Sequence, residues 1–279
     1  MTGGKAPTIS LRNGAAIPVL GIGTSPLRGE ESVRQIRAAI EAGYRLIDTA
    51  ENYHNEEAVG EGLRASGIDR DEVFLTTKFN RRWHSVDGVR QAYDASRKRL
   101  GVDYIDLLLV HWPNPDQDRY VEAVQGLQKL LESGDLRAIG VSNYKPKHLQ
   151  RVLDETGIIP DVNQIQLSPY GTRDDCRAYH DEHGIVTESW SPLGASSDAL
   201  RKDPAIVRIA AAHDKSPTQV VLRWHIQLGL VVIPRSSNPG RIAENIGVFD
   251  FDLSNEEMTT ITGLNRGDAE LTDSEKFGH

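Results

Sequence analysis

The sequence predicts an α/β fold, a closed (β/α)8 barrel of the TIM type, on three observations. Short β-rich runs alternate with longer amphipathic segments, eight such pairs can be traced, and no linker or low-complexity stretch separates them. At about 35 residues per pair the array has the usual size of such a barrel, roughly 250 residues. One domain spanning 1–279 follows. The competing open doubly wound sheet would ordinarily carry G-x-G-x-x-G between an early strand and its helix, and Gly21-Ile22-Gly23 lacks the third glycine.

The first element stands apart from the repeat. Thr8 to Leu11 and Ala16 to Val19 flank Arg12-Asn13-Gly14-Ala15, and Asn-Gly is a strong hairpin signal. The barrel strands follow at Leu20 to Gly23, Arg45 to Asp48, Val73 to Lys78, Ile105 to His111, Arg137 to Ser142, Val162 to Gln166, Val186 to Trp190 and Val231 to Pro234. Several are continuous apolar runs, as strands covered on both faces should be, although Asp106 interrupts one without evident reason. Helical segments lie between them at Glu31 to Ala42, Asn55 to Ser66, Val86 to Leu100, Tyr120 to Ser133, Lys145 to Glu155, Arg173 to His183, Asp203 to His213 and Gly240 to Ile246. Two extra helices are expected, Pro217 to Gln227 and Ser254 to Thr262, the second opened by a Ser254/Glu257 capping box.

Composition narrows the function. Thirty-two basic against 40 acidic side chains give a formal charge of −8, which disfavours nucleic acid or an anionic membrane as partner. The opening MTGGKAPT has no apolar signal region and no run approaches the roughly 20 apolar residues of a membrane span. A single cysteine, Cys176, rules out an internal disulfide, so a cytoplasmic protein with a structural thiol is expected, and the chain is further expected to be soluble and monomeric. His84, His111 and His148 lack metal-ligand spacing, and no metal is expected.

In such a barrel chemistry sits at the carboxyl ends of the strands. There the sequence places Asp48-Thr49-Ala50-Glu51-Asn52-Tyr53, Thr76-Thr77-Lys78 and Val110-His111-Trp112-Pro113 on three successive strands. An acid, an amine, a phenol and an imidazole at one mouth suit proton transfer at a carbonyl oxygen. An ammonium on Lys78 would lower the pKa of Tyr53 from its usual value of about 10, and Asp48 would hold that ammonium charged. Taken singly, Asp48 also reads as a cap, Lys78 as a snorkelling lysine, Tyr53 as packing and His111 as a structural histidine. Arg235-Ser236-Ser237-Asn238-Pro239-Gly240-Arg241, before the last barrel helix, is an anion site by composition.

With Asp48 to Glu56, Lys78 and His111-Trp112-Pro113, the chain resembles the aldo-keto reductase family over nearly its whole length. The likeness continues through Gly140-Val141-Ser142-Asn143, Val162-Asn163-Gln164, Trp190-Ser191-Pro192-Leu193-Gly194 and Ile233-Pro234-Arg235-Ser236, and within the family it is greatest to bacterial 2,5-diketo-gluconate reductase-like members. The resemblance implies NADPH as cofactor and a small carbonyl compound as substrate. It assigns Tyr53 as general acid, Lys78 and Asp48 as its tuning pair, and His111 as the group orienting the carbonyl. It places the cofactor on Gly23, Thr24, Ser142, Asn143, Gln164, Trp190, Ser191, Leu193, Gly194, Ile233, Arg235, Ser236, Ser237, Arg241, Glu244 and Asn245, with Trp190 stacked on the nicotinamide. Substrate would meet Ser25, Asn52, Trp83, His111 and Trp112, with the tail near Phe277 as a lid or a disordered end.

Departures from the family pattern are Arg235 for lysine, Asn80 for an aromatic residue, and Gln166 and Ser168 for glutamate and histidine, the last two read as scaffold contacts. Reduction of aldehydes, ketones or dicarbonyls is therefore expected. The alternatives are an NADPH-binding sensor with little turnover and a barrel isomerase or aldolase using Lys78 as a Schiff-base amine.

Overall fold

A computed structural model describes residues 6–194, 198–268 and 271–279; part of the opening segment and of the stretch beyond Asn265, on which two of the expectations above bear, lies outside them. A two-stranded hairpin, β1 (Thr8–Ser10) and β2 (Ala16–Pro18), precedes eight barrel strands. These are β3 (Ile22–Gly23), β4 (Leu46–Asp48), β5 (Phe74–Phe79), β6 (Ile105–Val110), β7 (Leu136–Ser142), β8 (Val162–Gln166), β9 (Val186–Trp190) and β10 (Val231–Ile233). Neighbours in sequence are neighbours in the sheet, all parallel. The sheet closes where Leu20 bridges Val232, through Gly21 N to Val232 O at 2.9 Å and Val232 N to Val19 O at 2.9 Å.

Helices pack around this ring: α1 (Gly29–Ala42), α2 (Glu56–Ser66), α3 (Val86–Leu100), α4 (Tyr120–Glu132), α5 (Pro146–Thr156), α6 (Asp174–His183), α7 (Pro204–Ala212), α8 (Pro217–Gln227), α9 (Pro239–Ile246) and α10 (Asn255–Thr262). The two extra helices are α8 and α10, and the Ser254/Glu257 capping box is formed. The predicted first strand, Leu20 to Gly23, is ladder only over its last two residues. Its first two serve as the seam, where a single bridge replaces regular pairing.

The strands read two faces at once. Leu107 and Leu109 join the barrel interior while Leu108 and Val110 pack under the helices, the alternation that a pleated strand imposes. Leu46, Phe74, Ala138, Val162, Val186 and Val231 extend the interior layer, and Leu11 and Ile17 from the hairpin segment cover its floor. Asp106, which the sequence left unexplained, has the opposite parity. It is fully buried, accepts from Leu75 N at 2.9 Å, and pairs with Arg70 at 2.6 Å and Arg137 at 3.1 Å. Cys176 is buried, and burial pushes its thiol up to about 11, consistent with an inert side chain.

Two glycines permit close approaches. A Cβ on Gly60 of α2 would lie 1.8 Å from Leu100 O, and one on Gly140 of β7 would lie 2.5 Å from Leu109 and 2.7 Å from Val162 O. No helix among the described residues is long and apolar enough to cross a membrane.

Candidate active site

Strand parity decides which side chains reach the mouth. Counting by twos from the interior residues Leu46, Phe74, Leu109, Ala138, Val162 and Val186 leads to Asp48, Lys78, His111, Ser142, Gln164 and Glu188, all near the carboxyl ends of their strands. Tyr53 follows on a short 3-10 turn, Glu51–Tyr53, whose loop is anchored from behind. Thr49 Oγ1 donates to Asn55 Oδ1 at 2.7 Å, and Asn55 Nδ2 donates to Leu27 O at 2.9 Å and Thr24 O at 3.2 Å. Thr77 Oγ1, on the outer face of β5, donates to buried Glu56 at 2.7 Å, which also pairs with Arg99 at 2.6 Å. Glu56 therefore serves as a fastener.

At the centre Lys78 Nζ donates to Asp48 Oδ1 at 2.6 Å, Asp48 Oδ2 at 2.8 Å and Thr49 O at 3.0 Å. Those acceptors match the three protons of an ammonium. Tyr53 Oη lies 3.5 Å from Nζ, a long contact that leaves its own hydroxyl proton available to the cavity. Burial alone would strip the charge from Lys78, but Asp48 outweighs it and the pKa is raised. For Tyr53 burial wins. The phenol sits above its usual pKa although Lys78 pulls it down as the sequence reading expected, so Tyr53 is a neutral donor at pH 7. His111 is held well below its ordinary pKa by burial and then by Lys78, which makes it a neutral imidazole. Its ring meets that of Tyr53 edge-on with centroids 5.9 Å apart.

A second carboxylate, missed in the sequence, completes the centre. Gln164 Nε2 donates to Asp48 Oδ2 at 2.8 Å and Glu188 Oε2 at 2.9 Å, while Glu188 Oε1 is buried without a partner among the described residues. Burial and then the nearby Asp48 push Glu188 up to about 8. A carboxylate inside the otherwise covered run Val186-Thr187-Glu188-Ser189-Trp190 was the signal that could have found it.

The mouth opens as a cavity of about 430 Å³. It brings together Tyr53, Asp48 and His111 with Gly23, Thr24, Ser25, Trp112, Ser142, Asn143, Gln164, Trp190, Ser191, Leu193, Gly194, Ile233 and Arg235, and adds Pro192, which the sequence reading named only as part of a motif, and Arg201 and His279, which it did not single out. Lys78 stands fully buried behind Tyr53. Asn52 and Trp83 do not line it. Asn52 accepts from Asn80 at 3.1 Å, and Trp83 Nε1 donates to Glu51 at 3.1 Å.

Beyond the cavity Ser237, Arg241 and Glu244 are exposed and Asn245 is buried, on the turn and helix that follow β10. Ser236 O accepts from Gln35 at 2.9 Å, and Arg235 donates to Ser25 O at 3.3 Å. Gln166 proves a scaffold contact as expected, since its Oε1 accepts from Thr272 N at 2.8 Å; Ser168 exchanges backbone bonds with Gly171. Among the described residues no cluster of three or more potential metal ligands occurs.

Two donors at this mouth are left over by the fold. Thr24 Oγ1 and Trp112 Nε1 are buried with no partner among the described residues, and both residues line the cavity. Trp190 Nε1 donates to Asn143 Oδ1 at 2.9 Å, which fixes the indole plane at the cavity wall, and Asn143 itself holds a left-handed φ of 64°. An elongated ligand with a polar head, an aromatic plane and anionic groups toward Arg235 fits this surface.

The model of the aldo/keto reductase family matches residues 19–266. The chain is 47% identical over 265 residues to 2,5-diketo-D-gluconic acid reductase B of Corynebacterium sp. (94% of each chain), and 45% identical over 273 residues to methylglyoxal reductase DkgA of Yersinia pestis (98% of each). A crystal structure of a Gox0644 variant in complex with NADPH superposes with a TM-score of 0.93 at 40% identity, covering 98% of this chain and 99% of that one. A barrel whose mouth joins Tyr53, Lys78, Asp48 and His111, and whose sequence matches the family model from end to end of that barrel, belongs to the aldo/keto reductase family.

Proposed function

We propose that this chain reduces small aldehydes, ketones or dicarbonyls to alcohols with NADPH, with Tyr53 as the proton donor. The observation that carries the reading is the neutral Tyr53 phenol beside a charged Lys78 and a neutral His111 on one cavity. Solved relatives that hold NADPH or NADP, and curated relatives named for 2,5-diketo-gluconate and methylglyoxal, support the cofactor and the substrate class.

When bound, NADPH supplies the hydride that adds to the carbonyl carbon. The protein's part is positioning and proton supply. His111 donates a hydrogen bond to the carbonyl oxygen and orients it, and Tyr53 passes its hydroxyl proton to that oxygen as negative charge develops. Lys78, held charged by Asp48, stabilises the phenolate left behind. Ser142, Asn143 and Gln164 suit the carboxamide end, Trp190 the ring face, and Arg235 with Ser236, Ser237 and Arg241 the phosphates. The arginines favour NADPH over NADH, because guanidinium matches a further phosphate in bidentate fashion.

Lys78 is poorly placed as a Schiff-base nucleophile, since its protons are engaged and its pKa is raised. The test is NADPH oxidation with methylglyoxal and 2,5-diketo-gluconate. Tyr53→Phe should lower kcat by about 10² to 10⁴ with NADPH affinity unchanged, the range expected for a positioned acid. Undiminished turnover in that variant would overturn the assignment.

A further inference from the structure

A second imidazole stands beside His111. Nε2 of His279 lies 3.3 Å from Nδ1 of His111, across 168 residues of sequence, and the two rings meet edge to face with centroids 4.6 Å apart. The segment carrying His279 is fastened along its length. Lys145 pairs with Asp273 at 2.6 Å, Lys147 with Glu275 at 2.6 Å, and the Phe277 ring packs edge-on against Trp112 at 4.8 Å. Arg81 N donates to His279 O at 3.1 Å, and Gly278 passes so near Asn114 that a Cβ there would lie 2.0 Å from the amide nitrogen. The position of the His279 ring is thus built, and it faces the catalytic cavity.

Both imidazoles are neutral at pH 7, His111 through burial and Lys78, His279 through burial and Arg81. Two neutral rings at this distance share one proton between the facing nitrogens. If it sits on His111 Nδ1, the other ring nitrogen, Nε2, carries a lone pair, which repels a carbonyl oxygen. If it sits on His279 Nε2, then His111 Nδ1 accepts and His111 Nε2 carries the N–H that attracts that oxygen. Asn143 Nδ2 donates to His111 O at 3.1 Å, which steadies the backbone of the same residue.

We propose that His279 is a positioning residue for His111: its Nε2–H donates to His111 Nδ1 and so holds His111 in the tautomer that presents Nε2–H to the substrate carbonyl. The role in turnover rests on the carbonyl-reduction reading above, whereas the tautomer does not.

Nitrogen-15 NMR of the histidine-labelled full chain at neutral pH reads the tautomer directly. His111 should be protonated on Nε2 in the wild type, become a mixture of tautomers in His279→Phe, and return to the Nε2–H form in His279→Gln, whose amide restores a donor. With methylglyoxal, kcat/KM should fall on the order of tenfold in His279→Phe, the worth of one neutral hydrogen bond, and recover in His279→Gln while NADPH affinity stays constant. A wild-type His111 protonated on Nδ1, a tautomer indifferent to His279→Phe, or an unchanged kcat/KM would each overturn the proposal. Should the wild type show the expected tautomer yet reduce no carbonyl, the tautomer lock stands and the reductase reading falls.

Discussion

At the residue scale the site is a set of charges that cannot be removed singly. Lys78 is fully buried and bonded to both oxygens of Asp48, so Lys78→Met would leave a carboxylate in the core beside Glu188. Its expected cost is about 3–5 kcal/mol, read by urea denaturation, and Asp48→Asn/Lys78→Met together should cost less than Lys78→Met alone. Glu188 adds a pH dependence of its own. Its ordinary value of 4.5 is raised to about 8 in the fold, so between those values the native state binds more protons than the unfolded chain. This contribution to stability is present at low pH and is lost as pH rises toward 8. Glu188→Gln, measured by the pH dependence of the urea midpoint, should remove that slope. Asp48, Lys78 and His111 were legible in the sequence because they stand at the ends of three successive strands, and Tyr53 because it follows Asp48 in the loop beyond. Glu188 and His279 were not, since their partners come from distant segments.

Elements show where local preference and packing disagree. Gly60 sits inside α2, where alanine would be favoured by up to about 1 kcal/mol on helix propensity. Its Cβ would lie 1.8 Å from a backbone carbonyl of α3, which cannot swing aside as a side chain can. Packing wins, and Gly60→Ala is expected to lower the thermal midpoint, with a cost of about 1–3 kcal/mol from overpacking. Apolar periodicity placed the strands and helices to within a residue or two. It could not show that Leu20 and Gly21 form the seam, because closure depends on the last strand, more than two hundred residues later. Nor could it explain Asp106, whose partners Arg70 and Arg137 belong to other loops and strands.

For the molecule as a whole, acid should be destabilising. His84 and His180 are buried and neutral, each pushed down to about 4 from an ordinary 6.5. Both nitrogens of His84 lack a partner among the described residues, and His180 accepts from Asn163 at 2.9 Å while its other nitrogen meets Thr187 at 2.7 Å. Below pH 6.5 the unfolded chain takes up protons that the native state refuses. The stability these groups contribute is therefore complete above 6.5 and is lost as pH falls toward 4. Urea midpoints should decline over that window, and His180→Gln should make the decline shallower. An acid limb equally steep in His180→Gln would rule out that histidine as a cause.

The sequence by itself determined the order of elements, the barrel class and the placement of Asp48, Lys78 and His111 at strand ends, because strand parity and helical periodicity are local and repeat along the chain. Only the tertiary structure decided protonation and partnership: that burial outweighs Lys78 at Tyr53, that Glu188 shares Gln164 with Asp48, and that His279 meets His111. Those outcomes depend on distance and desolvation between segments remote in sequence, quantities that no local pattern encodes.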